Sequence, residues 1–317
     1  MRQFIKLTVT FLIVLFTLIF VLIESTEYVI DRNSDFKLNS NPKYLVLGHS
    51  HSECAFNDSL IDNFKNLSES GESYFYTYFK AKEVLKQNPS IETVFVEFTN
   101  NQINESMNYW IWKEKYMVNR FPKYSSFMNN YDKLVLAQNN LSGYLNSTSL
   151  SLKQNFSRLL EQNFSYSKSI GGYRYLVRDK TDSLLNNIKI SKEKNILISE
   201  INLNYLSKLI RFCEQQGKNV ILIRSPQHKK HLGYSNELTY QKIRNNRYSS
   251  IEYLDFSNFP LKNSEFGDLE HLNHKGAKIF SIWFDRLLNT GFLKQKNKQA
   301  TINEEIKTRT HNNVYKK

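Results

Sequence analysis

The chain has 317 residues, which is long enough for one large domain or two small ones. It carries 43 lysines and arginines against 30 aspartates and glutamates, but the basic residues are spread along the chain without a nucleic-acid-binding motif, so we expect no nucleic-acid partner. The two cysteines, Cys54 and Cys213, exclude a disulfide framework and a cysteine-rich zinc site, and we expect free thiols.

The first predicted element is a membrane anchor. Residues 7–23 carry no charge, with Arg2 and Lys6 before them and Glu24 directly after them. Such a run is at the short end of what spans a bilayer as a helix, and the positive residues before it favour a cytoplasmic N-terminus. A cleaved signal peptide is the alternative, but its apolar core would be shorter and a small-residue cleavage site would follow. We therefore predict an uncleaved single-pass membrane protein whose remaining chain faces the periplasm or the extracellular space.

Composition divides the chain into predicted segments. Residues 1–24 are the cytoplasmic stub and anchor, and the polar residues 25–41 are predicted to form a tether. The folded domain is predicted at 42–293, and it includes a mostly helical insertion, rich in aromatic residues and Asn, at about 102–191. Residues 294–317 are polar and rich in Lys and Asn, which predicts a disordered tail.

Strand and helix patterns alternate through the folded domain. The predicted strands lie at 44–47, 64–71 (with a turn), 93–98, 219–226 and 251–256. The predicted helices lie at 57–64, 72–87, 196–216, 237–246 and 275–289. This alternation predicts an α/β domain with a parallel sheet and helices on both faces. Ligands bind at the carboxyl ends of strands in such sheets, so we expect the turns after Leu47, Phe98 and Ile223 to form one site.

Candidate reacting groups lie at two distant positions. Ser50 follows an apolar strand and Gly48, as a nucleophile does at the edge of a sheet. Asp268 and His271 are three residues apart before the last predicted helix. A serine needs a base beside it, and a histidine base needs a carboxylate to hold its tautomer. The alternatives are that Ser50 caps a helix, that Asp268 caps a loop and that His271 is a surface residue.

These segments resemble blocks of the SGNH/GDSL hydrolase superfamily. The matching stretches are 48–50, 66–71, 96–101 and 268–273. The resemblance implies an SGNH-like, flavodoxin-like sheet, a catalytic triad of Ser50, Asp268 and His271, and an oxyanion hole formed by Ser50, Gly71 and Asn101. Further residues around the site would be His49, Asn100 and Asn273.

The sequence departs from the family pattern at two blocks. His49 stands where the family usually has aspartate, and Thr99-Asn100 replaces small residues before the oxyanion asparagine. The assignment between Asn100 and Asn101 therefore stays open. His49, His51 and His274 are metal-ligand types, but no diagnostic spacing accompanies them, so we predict no metal and no cofactor.

The sequence supports three functional hypotheses. The first is an ester hydrolase or O-acyltransferase that uses an acyl-serine, because both reactions share that intermediate. Its substrate would be an acylated small molecule or polysaccharide, since anchored members of the superfamily often modify glycans of the cell envelope. The second is an SGNH-like scaffold that has lost catalysis and serves as an accessory subunit. The third is a membrane-tethered interaction protein that uses the aromatic insertion; no protein partner can be named.

Overall fold

The computed structural model describes residues 1–186 and 196–314. These residues form two compact units. The first consists of Met1–Phe36 and Trp112–Ser167, and the second of the described residues within Lys37–Ile111 and Lys168–Lys317.

Helices and strands follow one another along the chain. The helices are α1 (Arg2–Asn33), α2 (Ser50–Ala55), α3 (Tyr74–Gln87), α4 (Met107–Trp112), α5 (Glu114–Tyr124), α6 (Asn130–Asn139), α7 (Leu141–Glu161), α8 (Thr181–Leu185), α9 (Glu200–Gln215), α10 (Glu237–Arg247), α11 (His274–Asn289) and α12 (Lys298–Val314). The strands are β1 (Tyr44–Leu47), β2 (Phe64–Asn66), β3 (Thr93–Glu97), β4 (Asn219–Arg224) and β5 (Glu252–Asp255).

The second unit contains a five-stranded sheet in the order β2-β1-β3-β4-β5. Every neighbouring pair is parallel. This is the strand order of flavodoxin-like sheets, in which ligands bind beyond the carboxyl ends of the strands where the order reverses, here at β1 and β3. The predicted α/β fold with a parallel sheet flanked by helices is confirmed.

Apolar side chains cover the central strands. All five residues of β3 are buried, as in a strand packed on both faces. Val46, Phe95 and Ile221 are paired across three adjacent strands and join one apolar cluster with Phe280 and Phe284 of α11. The ring centroids of Phe95 and Phe284 are 5.7 Å apart. This packing fixes α11 on the sheet and so holds the loop that precedes α11 in place.

The segment between β1 and β2 differs from its prediction. The sequence predicts a helix at 57–64, but only Asp58–Leu60 forms a short 3₁₀ helix, and Phe64 already belongs to β2. The side chain of Asn57 caps that single turn by accepting the N–H of Ser59. The helix on this connection is instead α2, which begins at Ser50. Both cysteines, in α2 and in α9, are free and buried, as expected.

The first unit contains the apolar helix α1 together with α5, α6 and α7. α1 has 32 residues and is long and apolar enough to cross a membrane. It extends to Asn33 and therefore includes part of the predicted tether. Thr26, Glu27 and Ile30 are buried near its end, and Glu27 forms an ion pair with Lys133 of α6. These contacts explain why the polar residues after the apolar run remain helical.

The C-terminal segment also differs from its prediction. Residues 298–314 form α12 instead of a disordered tail. Ile302 and Ile306 lie on one face of this helix and join the apolar cluster of the sheet. The side chain of Gln299 bonds to the backbone N–H and C=O of Asp255 in β5. Two isoleucines at helical spacing thus anchor a segment whose average composition is polar.

Candidate functional site

The turn between β1 and α2 carries Ser50. β1 ends at Leu47, and Gly48 and His49 lead into the helix. Gly48 is required because a Cβ at this position would lie 2.5 Å from both Cβ and Oε2 of Glu97. His49 is fully buried, whereas Ser50 is half-buried. The serine hydroxyl therefore stands at the carboxyl end of a central strand.

Ser50, His271 and Asp268 form a continuous hydrogen-bonded row. Oγ of Ser50 lies 2.8 Å from Nε2 of His271. Nδ1 of the same ring lies 2.9 Å from Oδ1 and 3.1 Å from Oδ2 of Asp268. A carboxylate at Nδ1 keeps that nitrogen protonated and leaves Nε2 to accept the serine proton. The arrangement is therefore able to activate the serine hydroxyl for attack on an acyl carbon.

Asp268 is held as a carboxylate. Burial raises its pKa, but the hydrogen bond and charge of His271, the N–H of Glu270 and the charge of Arg178 outweigh this effect and lower the pKa to about 2. The guanidinium of Arg178 bonds to Oδ2 of Asp268, and its Nη2 lies 3.3 Å from Nδ1 of His271. Arg178 was not among the predicted site residues, because it lies in the predicted insertion and no motif marks it.

Asn273 fixes the loop that carries Asp268 and His271. Its Oδ1 accepts two backbone N–H groups from the first turn of α11, at 3.0 and 3.2 Å. Its Nδ2 donates to the carbonyls of Ser264 and Phe266, at 2.9 and 3.1 Å. All four bonds go to the backbone, as expected of an N-cap. Asn273 therefore lies near the row but acts on the loop and the helix.

Gly71 lies in the turn that follows β2. Its φ is +69°, a left-handed value that glycine adopts without strain. In the described part of the chain its N–H has no acceptor. This N–H is consistent with an oxyanion donor, but no measured contact joins it to Ser50 in that part of the chain. The assignment of Gly71 to the oxyanion hole stays a prediction.

Asn100 belongs to a polar network with Asn236, Glu237 and Arg224. Its Nδ2 donates to Oδ1 of Asn236 at 3.1 Å and to Oε2 of Glu237 at 2.7 Å. Its Oδ1 accepts from Nη1 of Arg224 at 3.2 Å. The amide of Asn100 is thus engaged on both sides and buried.

Asn101 lies beside the Ser50 turn. Its Oδ1 is 3.2 Å from Nε2 of His49 and accepts the hydroxyl of Thr99 at 2.6 Å. Nδ1 of the same His49 ring lies 3.4 Å from Oγ of Ser50. Of the two asparagines that the sequence left open, Asn101 is therefore the one linked to the serine.

Glu97, the last residue of β3, is a fully buried carboxylate under this turn. Its Oε2 accepts the N–H of His49 at 3.2 Å and the N–H of Ser52 at 2.8 Å. Its Oε1 lies 3.0 Å from Nε2 of His49. Glu97 was not among the predicted site residues, although a single acidic residue in an otherwise apolar strand is a signal that the sequence contains.

Among the described residues, two groups of side chains are able to hold a metal ion. Within each group the ligand atoms lie within 4.8 Å of one another, and the groups are His49, His51 and Glu97, and His51, Glu270 and His271. Burial, together with neighbouring histidines, lowers the pKa of His51 well below its usual value, so this ring is neutral at neutral pH. His274 belongs to neither group, and its ring stacks on Tyr175. Nitrogen and oxygen ligands of these types suit zinc.

Comparisons with known proteins give one matching family model and a similar solved structure. One family model, which carries no functional description, matches residues 156–293. No curated protein matches the sequence. Among solved structures, the chain is similar to a GDSL-like lipase from Bacteroides thetaiotaomicron, with 7% identity and a TM-score of 0.35, over 85% of this chain and 99% of that one. A TM-score of this size is too low for us to transfer function to the chain.

Proposed function

We propose that the protein is a serine-dependent ester hydrolase or O-acyltransferase. The observation that carries this proposal is the row of contacts from Oγ of Ser50 to Nε2 of His271 and from Nδ1 of His271 to Asp268. Asp268 and His271 lie three residues apart on one loop, and Ser50 comes from the opposite end of the folded chain. A row of this kind has the geometry required of a nucleophile, a base and the group that orients the base.

The first half of the reaction forms an acyl-serine. Oγ of Ser50 attacks the ester carbonyl carbon while its proton passes to Nε2 of His271. The tetrahedral intermediate collapses, the bond to the leaving alcohol breaks, and that alcohol takes the proton from His271. Asp268 stays ionised throughout and stabilises the imidazolium.

The second half of the reaction releases the acyl group. A water molecule or an acceptor hydroxyl gives its proton to His271 and attacks the acyl carbon. The bond to Oγ then breaks, and the proton returns to Ser50. Water as the acceptor gives hydrolysis, and an acceptor hydroxyl gives transfer, so both activities use the same three residues.

The proposed substrates are acyl esters of glycans or other components outside the cytoplasm. The apolar helix α1 supports attachment to a membrane by residues 7–23. Arg2 and Lys6 before this run support an N-terminus in the cytoplasm and a catalytic unit on the other side of the membrane. The resemblance to SGNH/GDSL hydrolases supports acetyl and similar acyl groups on polysaccharides.

The experiment compares the full-length protein in detergent with the Ser50→Ala variant. Both are given a chromogenic acetyl ester, with and without an acetyl-accepting oligosaccharide, and acetate and acetylated product are measured. The matched control is Ser59→Ala, an exposed serine in the 3₁₀ helix after α2. We expect turnover to disappear only in Ser50→Ala. Equal turnover in all three proteins would contradict the serine mechanism.

A further inference from the structure

The buried pair of Glu97 and His49 faces the amide of Asn101. We infer that Glu97 acts through His49 to orient Asn101, so that its Nδ2 is presented to the oxyanion that forms at Ser50. In this role Glu97 and His49 are positioning residues, and the inference rests on the proposed acyl-serine function. It assigns a role to His49, the residue that stands where SGNH/GDSL hydrolases usually have aspartate.

Glu97 determines which ring nitrogen of His49 carries the hydrogen. Oε2 of Glu97 already accepts two backbone N–H groups, while Oε1 lies 3.0 Å from Nε2 of His49 and makes no aligned hydrogen bond among the described residues. Both side chains are fully buried. A nitrogen lone pair at 3.0 Å would be repelled by the carboxylate in this weakly screened environment, whereas an N–H at Nε2 would be attracted. Glu97 therefore favours the tautomer of His49 with hydrogen on Nε2.

His51 does not donate a ring hydrogen to Oε1 of Glu97. Its Nδ1 lies 3.5 Å from Oε1 of Glu97, but it also lies 2.9 Å from Nε2 of Gln227, which donates to it. An Nδ1 that accepts a hydrogen bond carries no hydrogen to give to the carboxylate. His49 is therefore the ring that presents a hydrogen to the Oε1 side of Glu97.

The hydrogen on Nε2 of His49 in turn fixes the orientation of the Asn101 amide. A ring nitrogen that carries hydrogen has no lone pair to accept an amide N–H, so the amide atom 3.2 Å from Nε2 of His49 must be Oδ1 and not Nδ2. The hydroxyl of Thr99, 2.6 Å from the same atom, donates to it as well. With Oδ1 held by two donors, Nδ2 keeps both of its hydrogens, and it has no acceptor in the described part of the chain. An unengaged amide donor next to a nucleophile is what an oxyanion hole requires.

Glu97→Gln reverses this chain of hydrogen bonds without changing the shape of the side chain. The oxygen of the new amide remains with the two backbone N–H groups, so its NH₂ faces Nε2 of His49. The hydrogen on His49 then moves to Nδ1, and the single lone pair of Nε2 accepts from that NH₂. Nε2 no longer donates to Oδ1 of Asn101, so the amide loses the hydrogen bond that holds Nδ2 toward the oxyanion. The oxyanion loses one donor. We expect kcat to fall about 100- to 1,000-fold with little change in KM.

The test combines kinetics with nitrogen NMR on the full-length chain in detergent. The chain has seven histidines, so ¹⁵N-histidine labelling gives a small set of signals, and the His49 signals are assigned with a His49→Gln variant. We expect the Nε2-protonated tautomer in the wild type and the Nδ1-protonated tautomer in Glu97→Gln. The matched control is Glu83→Gln, another buried glutamate, on α3. This control should keep both kcat and the His49 signals.

Three results would overturn the inference. The first is an Nδ1-protonated His49 in the wild type, a measurement that needs no variant to fold. The second is a Glu97→Gln protein that keeps wild-type kcat. The third is one equivalent of bound metal in the wild type that is lost in Glu97→Gln, because a metal ion would occupy Nε2 of His49. Absence of Ser50-dependent turnover in the wild type would instead contradict the proposed function, while the tautomer measurement would still report on Glu97.

Discussion

Oγ of Ser50 and Nε2 of His271 lie 2.8 Å apart, although 221 positions separate the two residues in the chain. The sheet explains this proximity. β1 delivers Ser50 to the carboxyl edge, and α11, packed on the sheet through Phe280 and Phe284, holds the preceding loop at the same edge. The distance therefore depends on the packing of the whole second unit.

His271→Gln tests the proposed role of His271 as the general base. Loss of general acid–base catalysis typically lowers kcat by about 100- to 10,000-fold, and we expect a loss in this range with little change in KM. His228→Gln is the control, because His228 is a half-buried histidine whose Nε2 lies 3.2 Å from Oδ1 of Asn263 and which is not part of the row of Ser50, His271 and Asp268. Steady-state hydrolysis of an acetyl ester measures both variants. Equal losses in the two variants would show that the effect is not specific to the base.

Because the pKa of Asp268 is lowered in the folded chain, we expect the stability of the protein to depend on pH. This pKa is lowered from 3.8 to about 2 in the folded chain, so the stabilising contribution of Asp268 is fully present above pH 4 and is lost as the pH falls toward 2. Asp268→Asn should therefore lower the urea midpoint at pH 7, and the difference from the wild type should shrink between pH 4 and pH 2. A difference that stays constant over this range would contradict the lowered pKa.

Gly48→Ala tests the close approach of the turn to Glu97. The added Cβ would lie 2.5 Å from two atoms of the Glu97 side chain, and overpacking of this kind costs about 1–3 kcal/mol of the free energy of unfolding. Gly172→Ala is the control, because among the described residues no heavy atom outside Gly172 and its two chain neighbours lies within 4 Å of its added Cβ. Urea unfolding compares the two variants. Equal stabilities would mean that the turn does not pack on Glu97.

Ile302→Ala tests the docking of α12. Ile302 is fully buried against the apolar cluster of the sheet, and truncation of a buried isoleucine to alanine costs about 2–5 kcal/mol. Thr308→Ala, at an exposed position of the same helix, should change stability by less than about 0.5 kcal/mol. Urea unfolding and the rate of proteolysis after residue 293 report the effect. A disordered tail would give no difference between the two variants.

The sequence predicted those parts of the molecule that local patterns determine. The alternation of apolar strands and amphipathic helices predicted the parallel sheet. The pair of Asp268 and His271 was predicted because a three-residue spacing in one loop keeps two side chains close. Ser50 was identified because a strand, a glycine and a hydroxyl follow one another. Each of these signals lies within a few residues of the group concerned.

The remaining parts depend on contacts between distant segments. Arg178 reaches Asp268 across 90 positions, and no local pattern reports such a contact. Glu97 is buried beneath His49 only because β3 lies beside β1 in the sheet. The tail was mispredicted because two isoleucines determine where α12 packs, whereas composition averages over the whole segment.

The most direct test of the central claim is covalent labelling of Ser50. The full-length protein is treated with a fluorophosphonate probe, digested, and the modified residue is identified by mass spectrometry, in parallel with Ser50→Ala and His271→Gln. The acyl-serine mechanism predicts one modified serine, Ser50, and labelling that is much slower in His271→Gln because the base that activates Oγ is absent. Labelling of Ser50 at the same rate without His271, or labelling of other serines only, would contradict it.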